Sequence, residues 1–157
     1  MASSSSNRKR KYEVFLSFSG EDTRQSFLSH LRRRLDDEHI ITFKDDRMER
    51  GKEIAPTLLE AIESSKIAVV ILSKHYASSR WCLDELVKIL ECQEKNGLLV
   101  LPIFFHVDPS DVRKPTTGTF AVDFVRHEEN FNKLEVTTWA TAMTKVANLS
   151  GHPLGNG

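Results

Sequence analysis

Short apolar runs alternate with segments of helical periodicity along most of this chain. Four runs are rich in β-branched and aromatic residues, which is typical of strands that are covered on both faces of a sheet. They are YEVFLSF at 12–18, IITF at 40–43, IAVVILS at 67–73 and LLVLPIFFHV at 98–107. The pattern therefore predicts four strands, and turn residues follow the first (Gly20) and the fourth (Asp108, Pro109 and Ser110).

The segments between these runs repeat apolar residues every three or four positions, which places them on one face of a helix. We predict a helix at 23–38, a second that begins at Pro56, a third that begins at Ser78 or Ser79, and two more after the fourth strand. A serine suits the start of the third helix because its hydroxyl can accept from the free N–H groups of the first turn. The predicted core-facing residues, helix by helix, are Phe27, Leu28, Leu31 and Leu35; Leu58, Leu59 and Ile62; Leu83, Leu86, Val87 and Leu90; Phe120, Phe124 and Val125; and Trp139, Ala142, Met143, Val146 and Ala147.

The alternation of strands and helices predicts an α/β fold with three layers, in which helices cover both faces of a parallel sheet. For a small domain we expect the flavodoxin-like strand order 2-1-3-4-5, with a fifth strand that is either short or not clearly marked in the sequence. That order reverses direction between strands one and three, and ligands bind at the carboxyl ends of the strands at this point. The loops at 17–24 and 73–85 are therefore expected to form the binding cleft.

Trp81 and Glu85 lie at the start of the third predicted helix. They are four residues apart, so they share a helix face, and this face lies away from the predicted apolar stripe. We therefore expect Glu85 on the outside of the helix. An exposed glutamate is usually only solvated, but a tryptophan beside a carboxylate directly after a buried strand favours a functional role for Glu85.

The composition limits the size of the protein and its partners. The chain has 157 residues, enough for one domain with a substantial core. Its 22 basic and 22 acidic residues balance, so no overall field attracts nucleic acid or an anionic membrane surface, and no apolar run is long enough to span a bilayer. Cys82 and Cys92 fall on one predicted helix about 15 Å apart, too far for a disulfide, which suits a reducing cytosol.

The two ends of the chain differ from its middle. Residues 1–10 are expected to form a disordered Ser-rich and basic tail, residues 11–153 the domain, and residues 154–157 the start of a linker. The first residues lack the apolar segment of a secretory signal, so we expect the protein in the cytoplasm. Their RKRK cluster is also compatible with a nuclear location. The six histidines are scattered and no Cys/His spacing is typical of a metal site, so no metal is expected.

Four motifs, in this order, resemble the plant type of Toll/interleukin-receptor (TIR) domain. They are YEVFLSFSGEDTR, TFKDDRMERGKEI, YASSRWCLDEL and PIFFHVDPSDVRK. The resemblance runs from about Tyr12 to about Gly151 and implies the same flavodoxin-like fold. It also implies a role in plant innate immunity, either as an excised N-terminal domain of an intracellular immune receptor or as a TIR-only protein.

The resemblance further implies an NAD+ nucleosidase, which cleaves the nicotinamide–ribose bond of NAD+ or NADP+ as substrate and needs no separate cofactor. Glu85 takes the position of the family's catalytic glutamate in WCLDEL. Nicotinamide leaves as a neutral base and needs no general acid, so one carboxylate that stabilises the positive charge on the ribose is sufficient. The substrate-binding residues that the resemblance implies are Phe18, Ser19, Gly20, Arg24, Ser79 and Trp81.

The sequence departs from the family pattern at Ser19. Plant members usually read SFRGEDTR, and this chain reads SFSGEDTR. The guanidinium expected at this position would hold a phosphate or brace the carboxylate. Its replacement by a hydroxyl leaves open whether turnover is weakened.

Two segments are expected to mediate self-association. Ser29 and His30 lie off the apolar stripe of the first helix, and the resemblance places them in a two-fold contact between the first and last helices. In the charged loop at 44–53, the resemblance implies that Gly51 bends the backbone while Arg50 and Lys52 meet acidic partners. A non-catalytic TIR–TIR interaction module is the alternative function, and a decoy that binds nucleotide without turnover is a third.

Overall fold

The computed structural model describes residues 11–20, 27–43, 56–149 and 152–154, and the statements below concern these residues. Their strands and helices, in chain order, are β1 (Tyr12–Ser17), α1 (Phe27–Asp37), β2 (Thr42–Phe43), α2 (Pro56–Glu63), β3 (Ser65–Leu72), α3 (Arg80–Asn96), β4 (Leu99–Phe105), α4 (Pro109–Arg113), α5 (Ala121–Asn130), α6 (Lys133–Ala147) and β5 (His152–Leu154). A single 3-10 turn, Tyr76–Ser78, lies between β3 and α3.

The described strands form one parallel sheet in the order β2-β1-β3-β4-β5. In the pairing of β1 with β3, Ser17 lies opposite Val70, and β4 pairs along the other side of β3. The short β5 pairs with the end of β4. The flavodoxin-like order and the short fifth strand are therefore confirmed, and the carboxyl ends of β1 and β3 lie side by side where the strand order reverses.

The two faces of the sheet carry separate apolar clusters, because side chains alternate along each strand. Phe15 and Val70 belong to the cluster that α2, α3 and α6 cover. Val14 and Leu16 belong to the cluster that α1 covers. Helices thus cover both faces, which confirms the three predicted layers and places α1 and α3 on opposite sides of β1.

The ends of several elements differ from the sequence prediction. β2 contains Thr42 and Phe43 alone, instead of the whole run at 40–43. The turn predicted after β4 is the start of the short helix α4, because the Asp108 carboxylate accepts from the Ser110 N–H at 2.8 Å and caps it. Val125 was expected in the core and is 56% exposed, because it lies one residue past Phe124 and so points about 100° away on α5.

The sequence predicts that Cys82 and Cys92 form no disulfide with each other and that no segment spans a membrane. Cys82 and Cys92 are both free and buried, as their spacing predicted. Within the described ranges, no helix combines the length and the apolar character that crossing a membrane requires.

Candidate functional site

Ser79 fixes the start of α3 at the carboxyl edge of the sheet. Its backbone is extended, with φ −101° and ψ 117°, and its hydroxyl accepts from the Cys82 N–H at 3.3 Å. This is the N-cap that the sequence predicts, since an accepting side chain satisfies a free donor of the first turn. A hydroxyl that accepts keeps its own proton, so the Ser79 oxygen can still donate to a ligand.

Glu85 is fully buried, and the expected position on the outside of α3 was wrong. Its side chain has a relative exposure of 0%. The buried face of α3 is wider than the leucine stripe alone predicts, because Cys82, Ile89 and Cys92 are buried as well. Glu85 lies three residues after Cys82 and four before Ile89, so it belongs to this second stripe facing the sheet.

A buried hydrogen-bond network joins Glu85 to the segments at the ends of β1 and β3. Ser17, the last residue of β1, donates to Glu85 Oε1 at 3.0 Å. Ser17 Oγ also lies 2.7 Å from the Tyr76 hydroxyl, and this hydroxyl lies 3.1 Å from the Cys82 carbonyl oxygen. Ser17, Tyr76 and Glu85 are each 0% exposed, so the network is shielded from water.

Sequence reasoning missed Ser17 and Tyr76. A signal for Ser17 was present, because a serine that ends an apolar strand and shares a face with Phe15 must point toward the helices on that side. The signal for Tyr76 was weaker, because it lies in a polar loop that carries no periodicity. Both residues matter because Ser17 contacts the Glu85 carboxylate directly and Tyr76 contacts Ser17.

Phe18 turns toward the opposite face of the sheet from Glu85. Its ring packs in the cluster on the α1 side, and the Arg32 guanidinium lies 5.5 Å from the ring centroid. The Phe18 backbone does approach α3, because its carbonyl accepts from the Cys82 thiol at 3.4 Å. The structure therefore does not place the Phe18 ring beside the carboxylate, as alternation along β1 after Ser17 explains.

Ser19 and Gly20 continue from Phe18 along this edge. Ser19 is 5% exposed and Gly20 is half-buried. Arg24 follows outside the described residues, as do Arg50, Gly51 and Lys52, so the roles assigned to these four remain predictions.

The predicted self-association residues of α1 lie on its surface. Ser29 and His30 are both exposed, whereas Leu28 beside them is buried. Their position off the apolar stripe agrees with the sequence pattern, and their contact with a second copy stays a prediction.

Trp81 is half-buried one turn before Glu85, and a cation lies over its ring. The Arg80 guanidinium is 4.9 Å from the Trp81 ring centroid and 4.9 Å from that of Phe131. Both distances suit cation–π attraction. The Arg80 guanidinium therefore lies over the Trp81 ring, and the role of Trp81 in binding substrate stays a prediction.

Asp84, the residue before Glu85, anchors the outer side of α3. Trp139 Nε1 of α6 donates to Asp84 Oδ1 at 3.0 Å, and Arg80 lies 3.7 Å from Asp84 Oδ2. Burial raises the pKa of the Asp84 carboxyl above its ordinary value, while the hydrogen bond from Trp139 and the charge of Arg80 oppose this rise. The two adjacent carboxylates thus point to different sides of α3, since successive residues on a helix lie about 100° apart.

A groove of about 610 Å³ between α3 and α6 is separate from the Glu85 network. Its lining includes Arg80, Asp84, Lys88 and Trp139, and it does not include Glu85. No group of three or more His, Cys, Asp or Glu side chains within the described ranges could hold a metal ion. What these residues offer at Glu85 is one shielded carboxylate with a hydroxyl donor, an arrangement suited to stabilising positive charge.

Comparison with known proteins gives a consistent result. Residues 11–156 match the family model described as TIR domain. Disease resistance protein RPV1 of Vitis rotundifolia is 55% identical over 155 residues, which cover 96% of this chain and 11% of that protein. TMV resistance protein N of Nicotiana glutinosa is 49% identical over 154 residues, which cover 96% of this chain and 13% of that protein. The chain therefore spans about an eighth of the length of these relatives.

A solved structure shows the same likeness. The TIR domains in a structure of the activated Roq1 resistosome, which directly recognises the pathogen effector XopQ, superimpose with a TM-score of 0.86 at 53% identity. The match covers 93% of this chain and 89% of that chain.

Proposed function

The chain belongs to the TIR domain family, and we propose that it is a signalling enzyme of plant innate immunity that cleaves NAD+ or NADP+ at the nicotinamide–ribose bond. Its similarity to plant disease resistance proteins supports the immune role. The observation that carries the enzymatic part is the position of Glu85. It lies in the second turn of α3, bonded to the last residue of β1, at the point where ligands bind in this fold.

The chemistry needs a negative charge and little else. When the bond to nicotinamide breaks, positive charge develops on the ribose and the leaving group departs as a neutral base; one water molecule, bound together with the substrate, then adds to the ribose carbon and releases a proton. A fixed carboxylate stabilises that charge strongly in a site from which water is excluded. Ser79 and Trp81, at the start of the same helix, are the residues proposed to contact the ribose and an aromatic ring of the substrate.

The burial of Glu85 sets a condition on this function. A carboxylate with 0% exposure cannot touch a ribose, so the site must open before substrate binds. We propose that self-association of the domain accompanies this opening, which agrees with the assembled state named for the Roq1 TIR domains. The rate should then rise more steeply than linearly with protein concentration.

His30 provides the test of self-association. It is exposed on α1, and we propose that it stacks on its counterpart in a two-fold contact beside Ser29, smaller than a standard interface. His30→Ala should weaken association measured by light scattering over a concentration series. Identical association of the variant and the wild type would reject this contact. Arg50, Gly51 and Lys52 are the proposed second contact.

The alternative function is an interaction module without catalysis, and one observation favours it. The Glu85 carboxylate is buried and hydrogen-bonded to Ser17, which a structural residue would be too. Under this alternative, the output of the domain is association alone, and Glu85 only stabilises the packing of α3 on β1.

Two neighbouring substitutions decide between the functions. Glu85→Gln deletes the charge and keeps the shape, and we expect it to lower the rate of nicotinamide release at least about 100-fold, because the charge acts mainly in the transition state. Asp84→Asn makes the same chemical change on the other side of α3 and should stay within about threefold of the wild type. Equal rates for Glu85→Gln and the wild type would show that Glu85 is not catalytic.

A substitution at Ser19 distinguishes the two functions if the wild type is inactive. If the wild type releases no nicotinamide even at high concentration, Ser19→Arg restores the guanidinium that the family pattern carries and should restore turnover. Failure of Ser19→Arg to do so would favour the interaction module.

A further inference from the structure

The Ser17 and Tyr76 hydroxyls together have two protons, which is too few to make a hydrogen bond at each of their short contacts. Each hydroxyl has one proton to donate, yet these two protons are shared by at least three contacts among the described residues: Ser17 to Glu85 at 3.0 Å, Ser17 to Tyr76 at 2.7 Å and Tyr76 to the Cys82 carbonyl at 3.1 Å. An ionised carboxylate only accepts, so the Ser17 proton must go to Glu85. The Tyr76 proton then goes to Ser17, because 2.7 Å lies in the range for O–H···O bonds and 3.1 Å lies outside it.

We propose that Tyr76 and Ser17 form a relay of two hydroxyls, in which Tyr76 donates to Ser17 and Ser17 donates to Glu85, and that this relay orients the Glu85 carboxylate and stabilises its charge. The proposal rests on the function proposed for Glu85. Ser17 and Tyr76 are positioning residues in it, since neither needs to touch the substrate. Bonds in such a chain strengthen one another, and a bond to a charged group is worth about twice a neutral one.

The fold holds each member of the relay from a different direction. Ser17 ends β1, Tyr76 belongs to the 3-10 turn after β3, and Glu85 belongs to α3. The turn is itself held by α5, because His127 Nε2 lies 2.8 Å from the Ala77 carbonyl. A buried residue fixed in this way keeps its hydroxyl in place, which is what a precise site requires of its supporting residues.

Conservative substitutions test the relay. Ser17→Ala removes the donor to Glu85 and should lower kcat about 10- to 100-fold, the range for a lost bond to a charged group. Tyr76→Phe removes one oxygen and keeps the ring, and should lower kcat about 3- to 10-fold, because its effect passes through Ser17. The KM should change less than about twofold in both variants, because the lost stabilisation belongs to the transition state.

The chain offers a matched control for each substitution. Tyr12, the other tyrosine of the chain, lies at the start of β1, at the opposite end from Ser17. Ser65 is a buried serine at the start of β3 that donates to the Ala61 carbonyl at 2.7 Å. Tyr12→Phe and Ser65→Ala should leave kcat within about twofold of the wild type, and a larger loss would show that kcat responds to hydroxyl loss anywhere in the sheet.

The double variant distinguishes a relay from independent packing effects. If Tyr76 acts through Ser17, then Ser17→Ala with Tyr76→Phe should be no slower than Ser17→Ala alone. Independent contributions would multiply instead. Multiplied losses would therefore overturn the relay. If Ser17→Ala fails to fold, Tyr76→Phe decides by its own fall in kcat against Tyr12→Phe.

An infrared measurement separates this proposal from the proposed function. The difference spectrum between each protein and its Glu85→Gln counterpart isolates the carboxylate stretch of Glu85, whether or not the protein turns over substrate. We expect the band to shift in Ser17→Ala, to shift less in Tyr76→Phe, and to stay in place in both controls. If neither the wild type nor Ser19→Arg turns over substrate, and the band still shifts in Ser17→Ala and Tyr76→Phe, the relay is supported and the proposed function is rejected. An unmoved band in Ser17→Ala and Tyr76→Phe would overturn the relay, and shifted bands with unchanged kcat would overturn its role in positioning.

Discussion

Asp84 and Glu85 are adjacent carboxylates on α3, and they lie in opposite environments. Asp84 points outward, its side chain is 23% exposed, and it is paired with Arg80 and bonded to Trp139 of α6. Glu85 points inward, is 0% exposed, and is bonded to Ser17 of the sheet. The outer side of α3 thus joins helix to helix, and the inner side joins the helix to the ligand-binding edge of the sheet.

From this difference we expect that the more deeply buried of the two carboxylates contributes less to stability. A partly exposed carboxylate with a cation and an indole donor costs little to keep in place and fixes the packing of two helices. A fully buried carboxylate loses its hydration, and the effective penalty is several kcal/mol per ion unless hydrogen bonds compensate it. Proteins keep such costly groups mainly where function requires them. The outer side should therefore dominate stability, and the inner side should dominate activity.

Trp139 should give the largest loss of stability. It is 2% exposed, its ring packs 5.3 Å from the rings of His127 and Phe131, and it donates to Asp84. Trp139→Ala should lower the free energy of unfolding by about 3–5 kcal/mol, the usual range for a buried tryptophan. Urea denaturation measures this loss.

Trp139→Phe is the matched control. It keeps an aromatic ring and deletes the N–H that Asp84 accepts, so it should cost about 1–2 kcal/mol. A cost below about 1 kcal/mol for Trp139→Ala would show that the outer side does not anchor α3.

Local chemistry made the start of α3 predictable from the sequence. Ser79 caps the helix through its own hydroxyl, and capping depends on residues within one turn. The burial of Leu83, Leu86 and Leu90 was predictable because apolar residues at helical spacing mark the face that is removed from water. The parallel sheet followed from the alternation of strands and helices, because parallel strands need crossover connections, and the strand order was the one expected for a small domain of this class.

The inner side of the site was not predictable at the level of side chains. Ser17 and Glu85 are 68 positions apart, and no local rule pairs residues across that distance. Glu85 was predicted on the outside of α3 because only the apolar stripe was assigned to the buried face. A buried carboxylate between Cys82 and Ile89 does not contribute to an apolar pattern. The direction of the Phe18 ring was not predicted either, because the alternation of β1 continues past its last paired residue and directs the ring to the α1 side.

Removing the charge of Glu85 should not destabilise the protein. Glu85→Gln keeps the oxygen that accepts from Ser17 and removes the desolvation cost of the carboxylate. We expect the melting temperature to equal that of the wild type or to rise by about 2–4 °C, which corresponds to roughly 1 kcal/mol in a domain of this size. Thermal unfolding followed by circular dichroism measures the shift.

The neighbouring variant completes this comparison. Asp84→Asn loses a partly exposed ion pair with Arg80 and keeps an oxygen for Trp139, so its melting temperature should stay within about 2 °C of the wild type. A fall of more than about 4 °C for Glu85→Gln would show that the Glu85 charge stabilises the fold, and it would favour the interaction module over the enzyme.

The smallest expected effect is the pH dependence of stability at Asp84. Its pKa is raised above 3.8 in the folded state, mainly by burial, so the folded state binds the proton more tightly than the unfolded state. The contribution of Asp84 to stability therefore rises as the pH falls from neutral through the folded-state pKa toward 3.8. The melting temperature of the wild type minus that of Asp84→Asn should accordingly increase as the pH is lowered from 7 to 4.

Asp108 supplies a control of opposite sign. It caps α4, and the hydrogen bonds from the Ser110 N–H and hydroxyl lower the pKa of its carboxyl below 3.8. Its stabilising contribution is present above the unfolded-state value and is lost as the pH falls through the lower folded-state pKa. The melting temperature of the wild type minus that of Asp108→Asn should therefore stay constant from pH 7 to about pH 5 and decrease below it. Differences of the same sign for both residues would mean that acid acts on the fold as a whole, and the environment assigned to Asp84 on the outer side of α3 would then be wrong.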